Sequence, residues 1–158
     1  PIKAACVQAA PVFLDLDASI DKAASLTAEA AKAGAKLIAF PETWLPGYPW
    51  WIWTGAPAEG VGFLPEYHAN SMEVSSPQMK RLQQICHDNV ITMVMGYSER
   101  AGGSRYMSQV IIGDSLAPVV EFFDNGTYNN NAGVLTSGIS TDSTVIRLKQ
   151  DLKTRHFK

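Results

Sequence analysis

Apolar runs and amphipathic stretches alternate along the first part of the chain. Residues 2–9 are a short run of mainly Ala, Val and Cys, typical of a strand flanked on both faces. Residues 15–17 supply a capping carboxylate, and apolar positions from 20 to 31 then recur with a helical period until Gly34. Residues 36–40 are a second apolar run. This order predicts an α/β fold in which two parallel strands are joined by a right-handed crossover.

The helix-to-strand step repeats further along the chain. Ser76 followed by Pro77 is typical of a helix N-terminus, and residues 90–95 predict a continuous buried strand. Residues 101–104 interrupt the strand pattern, and residues 106–112 resume it, which predicts an antiparallel hairpin.

The pattern weakens in residues 113–158. Residues 119–123 and the Asn125-Gly126 turn predict one more hairpin, whereas residues 127–144 are polar and without a clear period. No internal repeat is found anywhere in the chain.

Composition and charge exclude several classes of function. The 158 residues are enough for one core, and a net charge of −2 with mixed signs argues against nucleic acid or an anionic membrane as partner. The apolar stretches are too short to span a bilayer. The first residues also lack the order of charged, then apolar, then small residues that a secretion signal has. With only two cysteines, both in predicted core elements, this favours a reducing cytoplasm.

Glu42 is the strongest candidate for chemistry. It directly follows the second predicted strand, and in parallel sheets the ligand crevice lies beyond the carboxyl ends of the strands. The proline before it and the aromatic residues after it predict a partly desolvated carboxylate, which suits a general base. The alternative is a surface glutamate that begins a turn, and the spacing is equally compatible with both.

An aromatic segment follows, which we define as residues 44–70. It is rich in Trp, Tyr, Pro and Gly with little period, so it predicts irregular structure with one short helix near residues 64–71. Tyr48 and Trp50 could line an apolar substrate pocket. Packing in a core or an interface is the competing interpretation, and the residues alone favour it.

Two further pairs of residues are interpreted as structural. Cys6 and Cys86 lie among apolar neighbours, where a thiol is usually inert, so both are predicted to be core residues. Glu99 and Arg100 are interpreted as an ion pair at a strand end, with a substrate clamp as the alternative.

The sequence predicts neither a metal nor a nucleotide cofactor. His68, His87 and His156 show no metal-ligand spacing and are interpreted as surface residues. Gly102 and Gly103 occupy a hairpin position and not the strand-to-helix turn that cradles phosphate.

Two segments are similar to the opening of the nitrilases, which are carbon-nitrogen hydrolases. They are residues 3–11, Lys-Ala-Ala-Cys-Val-Gln-Ala-Ala-Pro, and residues 34–49, which contain Phe-Pro-Glu-Thr and Leu-Pro-Gly-Tyr-Pro. The similarity continues through the Ser-Pro helix start and residues 96–100 to residues 106–109. It therefore covers about residues 1–112, the predicted nitrilase-like portion.

The resemblance implies an αββα sandwich and a Glu-Lys-Cys catalytic set with Glu42 as the general base. It implies hydrolysis of a small-molecule nitrile to a carboxylic acid and ammonia through a cysteine thioimidate, without a cofactor. Tyr48 and Trp50 would then help to shape the substrate pocket, and homo-oligomers would be expected. An amidase or a cyanide-hydrating enzyme of the same superfamily is the alternative, because the glutamate segment is common to them.

The chain departs from the family pattern in two ways. The family's lysine segment and its Cys-Trp-Glu segment are both missing, and residues 147–149 and 152–156 are only faintly similar to the former. The αββα fold also needs a longer chain, so only part of it is expected here. We expect residues 113–158 to be a divergent, truncated or stitched tail, with truncation or stitching favoured. A non-catalytic remnant that only self-associates is the third functional hypothesis.

Overall fold

A computed structural model describes residues 1–115, 119–120 and 145–150, which are built around one mixed β-sheet. Its strands are β1 (Ala4–Cys6), β2 (Leu37–Ala39), β3 (Thr92–Ala101), β4 (Ser104–Ile112), β5 (Val119–Val120) and β6 (Val145–Gln150). They lie in the order β1-β2-β3-β4-β6-β5. The first three strands are parallel, β4 is antiparallel to both β3 and β6, and β5 is parallel to β6. The predicted α/β class, parallel pair and hairpin are confirmed, whereas the Asn125-Gly126 turn lies outside the described residues.

The two long helices follow the sequence pattern, whereas the short helices between residues 51 and 63 lie in the aromatic segment, where irregular structure was predicted. They are α1 (Leu16–Lys32), α2 (Trp51–Thr54), α3 (Pro57–Gly60), α4 (Leu64–Ala69) and α5 (Pro77–Asn89), with a 3₁₀ turn at Val61–Phe63. The Asp15 carboxylate accepts a hydrogen bond of 2.9 Å from the Ala18 N–H, and the Ser76 hydroxyl accepts one of 3.2 Å from Met79. Both predicted caps are therefore confirmed. Among the helices that the structure describes, none is long and apolar enough to cross a membrane.

One face of the sheet, the covered face, carries the core. Ala5, Ile38, Met93 and Ile112 are register partners across the first four strands, so their side chains share this face. The last three of them are fully buried in a cluster with residues of α1 and α5, among them Ile20, Ala23, Leu82 and Cys86. The chain passes from β1 to β2 through α1 and from β2 to β3 through α5, each time moving to the next strand on the same side. Right-handed crossovers in one direction place both helices on the same face of the sheet.

The opposite face is what we call the open face. Its best-defined row is Cys6, Ala39, Val94 and Ile111, of which Cys6 is exposed and the other three are half-buried. The predictions that β1 is flanked on both faces and that Cys6 is a core residue are therefore wrong for this chain. The physical reason is that α1 and α5 both cover the other face.

Helix α5 ends differently from the prediction. Val90, expected to begin a strand, is the helix C-cap with a φ of +49° and is 56% exposed. Its N–H donates to carbonyls of the last helical turn, which satisfies the helix end, and β3 begins only at Thr92.

Candidate active site

The chain leaves the sheet at the end of β2 in a turn that we call the Glu42 turn, residues 41–44. The Phe40 N–H donates to the Val94 carbonyl at 2.8 Å, and pairing with β3 resumes where the Leu45 N–H donates to the Gly96 carbonyl at 3.2 Å. Glu42 therefore lies at the carboxyl end of β2, as predicted from the sequence. This is the end of a parallel strand, where α/β sheets bind ligands.

The Glu42 turn rests directly on Gly96. A Cβ atom at this glycine would lie 2.2 Å from the Pro41 carbonyl oxygen, 2.9 Å from the Glu42 Cα and 2.9 Å from the Thr43 N. Gly96 is two residues after Val94 on β3, so the turn lies against the open face. Only a residue without a side chain allows this approach.

The Glu42 carboxylate does not have the surroundings that the sequence predicts. Glu42 is exposed, whereas Thr43 and Trp44 beside it are buried. The indole N–H of Trp44 donates to the Ala9 carbonyl at 2.7 Å, and its ring packs 4.8 Å from Phe40. The predicted partial desolvation of Glu42 is therefore wrong for this chain, because the nearest tryptophan fills the core instead of covering the carboxylate.

The aromatic segment divides into a packed part and an exposed part. Trp51 contacts the rings of Phe13, Phe63 and Tyr67. Trp50, in contrast, is 65% exposed. The packing interpretation thus fits Trp44 and Trp51, and Trp50 has a free apolar surface. A helix was predicted near residues 64–71, and α4 confirms it.

Tyr48 connects the exposed aromatic residues. It is half-buried, its hydroxyl accepts a 3.0 Å hydrogen bond from the Trp53 Nε1–H, and its ring centre lies 4.9 Å from that of Trp50. Tyr48 and Trp50, the two predicted pocket residues, are therefore in mutual contact a few residues after Glu42.

Helix α4 covers the hairpin end of the open face with Tyr67, a residue that the sequence did not single out. Tyr67 is buried, and Arg105 lies 5.8 Å from its ring centre. Burial raises the pKa of the Tyr67 hydroxyl, while a hydrogen bond to Ser98 and the Arg105 charge partly oppose the rise. The Ser98 hydroxyl also lies 2.8 Å from that of Ser71. The two-residue alternation of β3, which puts Ser98 on the same face as Gly96, is the sequence signal for this cluster.

The predicted pair of Glu99 and Arg100 is replaced by two separate contacts. The buried Glu99 carboxylate accepts a 2.6 Å hydrogen bond from the Ser108 hydroxyl, and the Arg100 Nε lies 3.0 Å from the Glu73 carboxylate. Adjacent residues of a strand point to opposite faces, which explains the correction.

The two cysteines differ in environment. Cys86 is fully buried in α5, and burial raises the pKa of its thiol to about 12, so the prediction of an inert core thiol holds for it. Cys6 is exposed on β1.

Two further features bear on the site, namely metal ligands and the register of β6. Within residues 1–115, 119–120 and 145–150, no three His, Cys, Asp or Glu side chains are grouped so that they could hold a metal ion. The backbone register pairs Leu148 with Gln109, the partner of Gly96, and Lys149 with Ser108. Lys149 is therefore in a neighbouring row and not in the row on which the Glu42 turn rests. His156 and residues 152–156 lie outside the described residues.

Comparison with known proteins identifies the class. The sequence model of the carbon-nitrogen hydrolases matches residues 3–120. An aliphatic nitrilase of Rhodococcus rhodochrous is 52% identical over 120 residues, which are 73% of this chain and 31% of that protein. A nitrilase of Pseudomonas syringae is 52% identical over 114 residues, 72% of this chain and 34% of that protein. The chain belongs to the carbon-nitrogen hydrolase family, and it spans about a third of the length of these relatives.

The fold agrees with this assignment. The crystal structure of an amidase from Nesterenkonia sp. superposes with a TM-score of 0.51 at 21% identity, over 78% of this chain and 44% of that one. The nitrilase-like fold expected from the sequence is thus confirmed, for the part of it that this chain contains.

Proposed function

We propose that the protein to which this chain belongs is a nitrilase that uses Glu42 as its general base. The observation that carries the proposal is the position of this carboxylate, which the Glu42 turn presents at the carboxyl end of β2 on the open face. The 52% identity to two nitrilases supports the reaction class. The reaction consumes an organic nitrile and two waters and yields a carboxylic acid and ammonia.

The proposed chemistry needs a proton acceptor next to a thiol. Glu42 takes the thiol proton while the sulfur bonds to the nitrile carbon, and the proton passes to the nitrile nitrogen, which gives a thioimidate. Water then adds to the carbon and ammonia leaves, and a second water releases the acid and restores the thiol. A lysine ammonium would stabilise the charge that develops on nitrogen.

We propose that the cysteine and the lysine come from sequence outside these 158 residues. The family segments that carry them are not found in this chain. The exposure of Glu42 supports this, because it leaves the residue accessible to another part of the protein. Residues 1–112 would then be the N-terminal portion of the hydrolase domain, and residues 113–158 a divergent, truncated or stitched tail. The intact mass of the purified protein, compared with 17.2 kDa, tests this division.

Tyr48 and Trp50 are proposed to line the substrate pocket of a nitrilase for small or arylaliphatic nitriles. Their rings are in contact, and Trp50 has most of its surface free to pack on an apolar substrate group.

Replacing Glu42 by Gln in the complete enzyme tests the proposal. The amide keeps the shape but accepts no proton, so we expect the turnover number to fall at least about a hundredfold, the usual effect of losing a general base. The control is Glu66→Gln, an exposed glutamate of α4, which should leave turnover within about twofold. Full nitrile turnover by the Glu42→Gln enzyme excludes the assignment.

An amidase or a cyanide-hydrating enzyme is the second candidate, because the glutamate segment does not distinguish among them. Product analysis separates the candidates: a nitrilase releases acid and ammonia, whereas a cyanide-hydrating enzyme releases formamide and an amidase does not consume nitriles. The observed open face also fits the hypothesis of a non-catalytic remnant that self-associates. A folded 158-residue chain without thiol-dependent hydrolysis supports the remnant.

Location is proposed on the cysteine content and the first residues of the sequence, and assembly on the family resemblance. We propose a cytoplasmic homo-oligomer, and the exposed cysteine together with the absence of a disulfide among the described residues is compatible with a reducing compartment. Sedimentation of the complete protein measures its oligomeric state.

A further inference from the structure

The backbone of the Glu42 turn lies directly against Gly96. Pro41, Glu42 and Thr43 each place a backbone atom within 2.9 Å of the position that a Cβ at residue 96 would take. Backbone atoms cannot rotate away as a flexible side chain would. The Pro41 carbonyl oxygen lies 2.2 Å from that Cβ position, and an ordinary contact distance is 3.4 Å. This oxygen alone would therefore have to move about 1.2 Å.

The turn above Gly96 is itself held in an unfavourable conformation. Thr43 has a φ of +45°, the left-handed region in which a β-branched residue is strained. Thr43 is 1% exposed, and its carbonyl accepts a hydrogen bond of 3.1 Å from the Gly47 N–H. Strained residues that persist next to a candidate catalytic group point to a geometric requirement at that group.

The hydrogen bonds on either side hold the turn in register with β3. The Leu45 N–H donates to the Gly96 carbonyl, and the Ser98 N–H donates to the Leu45 carbonyl at 2.7 Å. Gly96 therefore contacts the turn from below and also anchors the chain where the turn ends.

We propose that Gly96 is a positioning residue for Glu42: its missing side chain sets the distance of the Glu42 backbone from the sheet, and the left-handed Thr43 keeps the turn pressed onto it. This role rests on the proposed function of Glu42 as a base. A displacement of about 1 Å at a reacting group costs on the order of a hundredfold in rate.

The first test is Gly96→Ala in the complete enzyme, with Gly103→Ala as the matched control. A Cβ at Gly103, in the β3–β4 hairpin, meets no atom within 4 Å. We expect kcat to fall about ten- to a hundredfold for Gly96→Ala with KM changed less than about threefold, and no change for Gly103→Ala. A kcat within about threefold of the native value for Gly96→Ala overturns the proposal.

A double variant separates positioning from stability. Thr43→Gly removes the left-handed strain and should restore part of the melting temperature that Gly96→Ala loses. The kcat of the double variant should stay low, because the turn is still displaced. Recovery of kcat together with the melting temperature shows a merely structural role and overturns the proposal.

Hydrogen exchange of the 158-residue chain tests the contact between Gly96 and the Glu42 turn without an activity measurement. Gly96→Ala should speed exchange of the Leu45 amide at least about tenfold and leave the Phe40 amide unchanged. Unchanged Leu45 exchange overturns the proposed contact. If the contact holds but Glu42→Gln retains full turnover, the proposed function fails and the catalytic role of Gly96 fails with it, so the two failures are distinguishable.

Discussion

The two faces of the sheet show how the same strands serve stability on one side and a candidate site on the other. On the covered face, Ile38, Met93 and Ile112 are at most 1% exposed under α1 and α5. On the open face, their neighbours Ala39, Val94 and Ile111 are half-buried and Cys6 is exposed. The Glu42 turn lies on this second face, beside the part that α4 covers. Apolar composition alone is therefore a poor guide to burial, because both faces are largely apolar.

The difference between the faces is clearest where the two cysteines are compared. Treatment of the folded chain with a thiol reagent should modify Cys6 at least about a thousandfold faster than Cys86, because a fully buried thiol reacts only when its helix opens. Mass spectrometry of digested samples measures both rates, and denatured protein, in which both should react, is the control. Equal rates in the folded chain would contradict the assignment of the two faces.

Substitutions at two adjacent residues of β3, one on each face, test the difference between the faces by their effect on the free energy of unfolding. Met93→Ala should lower the free energy of unfolding by about 2–5 kcal/mol, because it leaves a cavity under the helices. Val94→Ala removes a half-buried side chain from the open face and should cost about 1 kcal/mol or less. Urea unfolding of both variants gives the two values. Similar losses would mean that the open face is covered in solution, for example by self-association.

The last expected effect is a dependence of stability on alkaline pH. Burial raises the pKa of Cys86 from 9.0 to about 12, so the folded state favours the protonated thiol. The contribution of the protonated Cys86 thiol to the free energy of unfolding is complete below pH 9. It is lost as the pH rises from 9 to 12, by about 1.4 kcal/mol per pH unit at most. The raised pKa of the buried Tyr67 hydroxyl acts in the same direction. Cys86→Ala should flatten the alkaline fall in unfolding free energy, and an unchanged slope would argue against a buried thiol.

Local signals predicted the secondary structure well because they act within a few residues. The capping groups of α1 and α5 and the apolar runs of β1 and β2 determine these elements by short-range hydrogen bonding and periodicity. Predictions failed where a distant neighbour decides the outcome. Cys6 is exposed because of where two helices pack, and Arg100 pairs with a glutamate from another segment of the chain.

The position of Glu42 in the fold was predictable from the sequence, but the geometry around it was not. The sequence pointed to Glu42 through its place after an apolar strand, and the structure agrees with that place. The exposure of the carboxylate, the burial of Trp44 and the contact with Gly96 could not be read from the sequence, because each depends on residues brought together by folding.

By itself, the sequence determined the α/β order of elements, the N-termini of α1 and α5 and membership of the carbon-nitrogen hydrolases, since periodicity, capping and similarity are all properties of the linear chain. The tertiary structure alone decided which face of the sheet is covered and that Gly96 lies beneath the Glu42 turn. The physical reason is that burial and close backbone approach arise from contacts between segments such as residues 41–44 and β3, which are far apart in sequence.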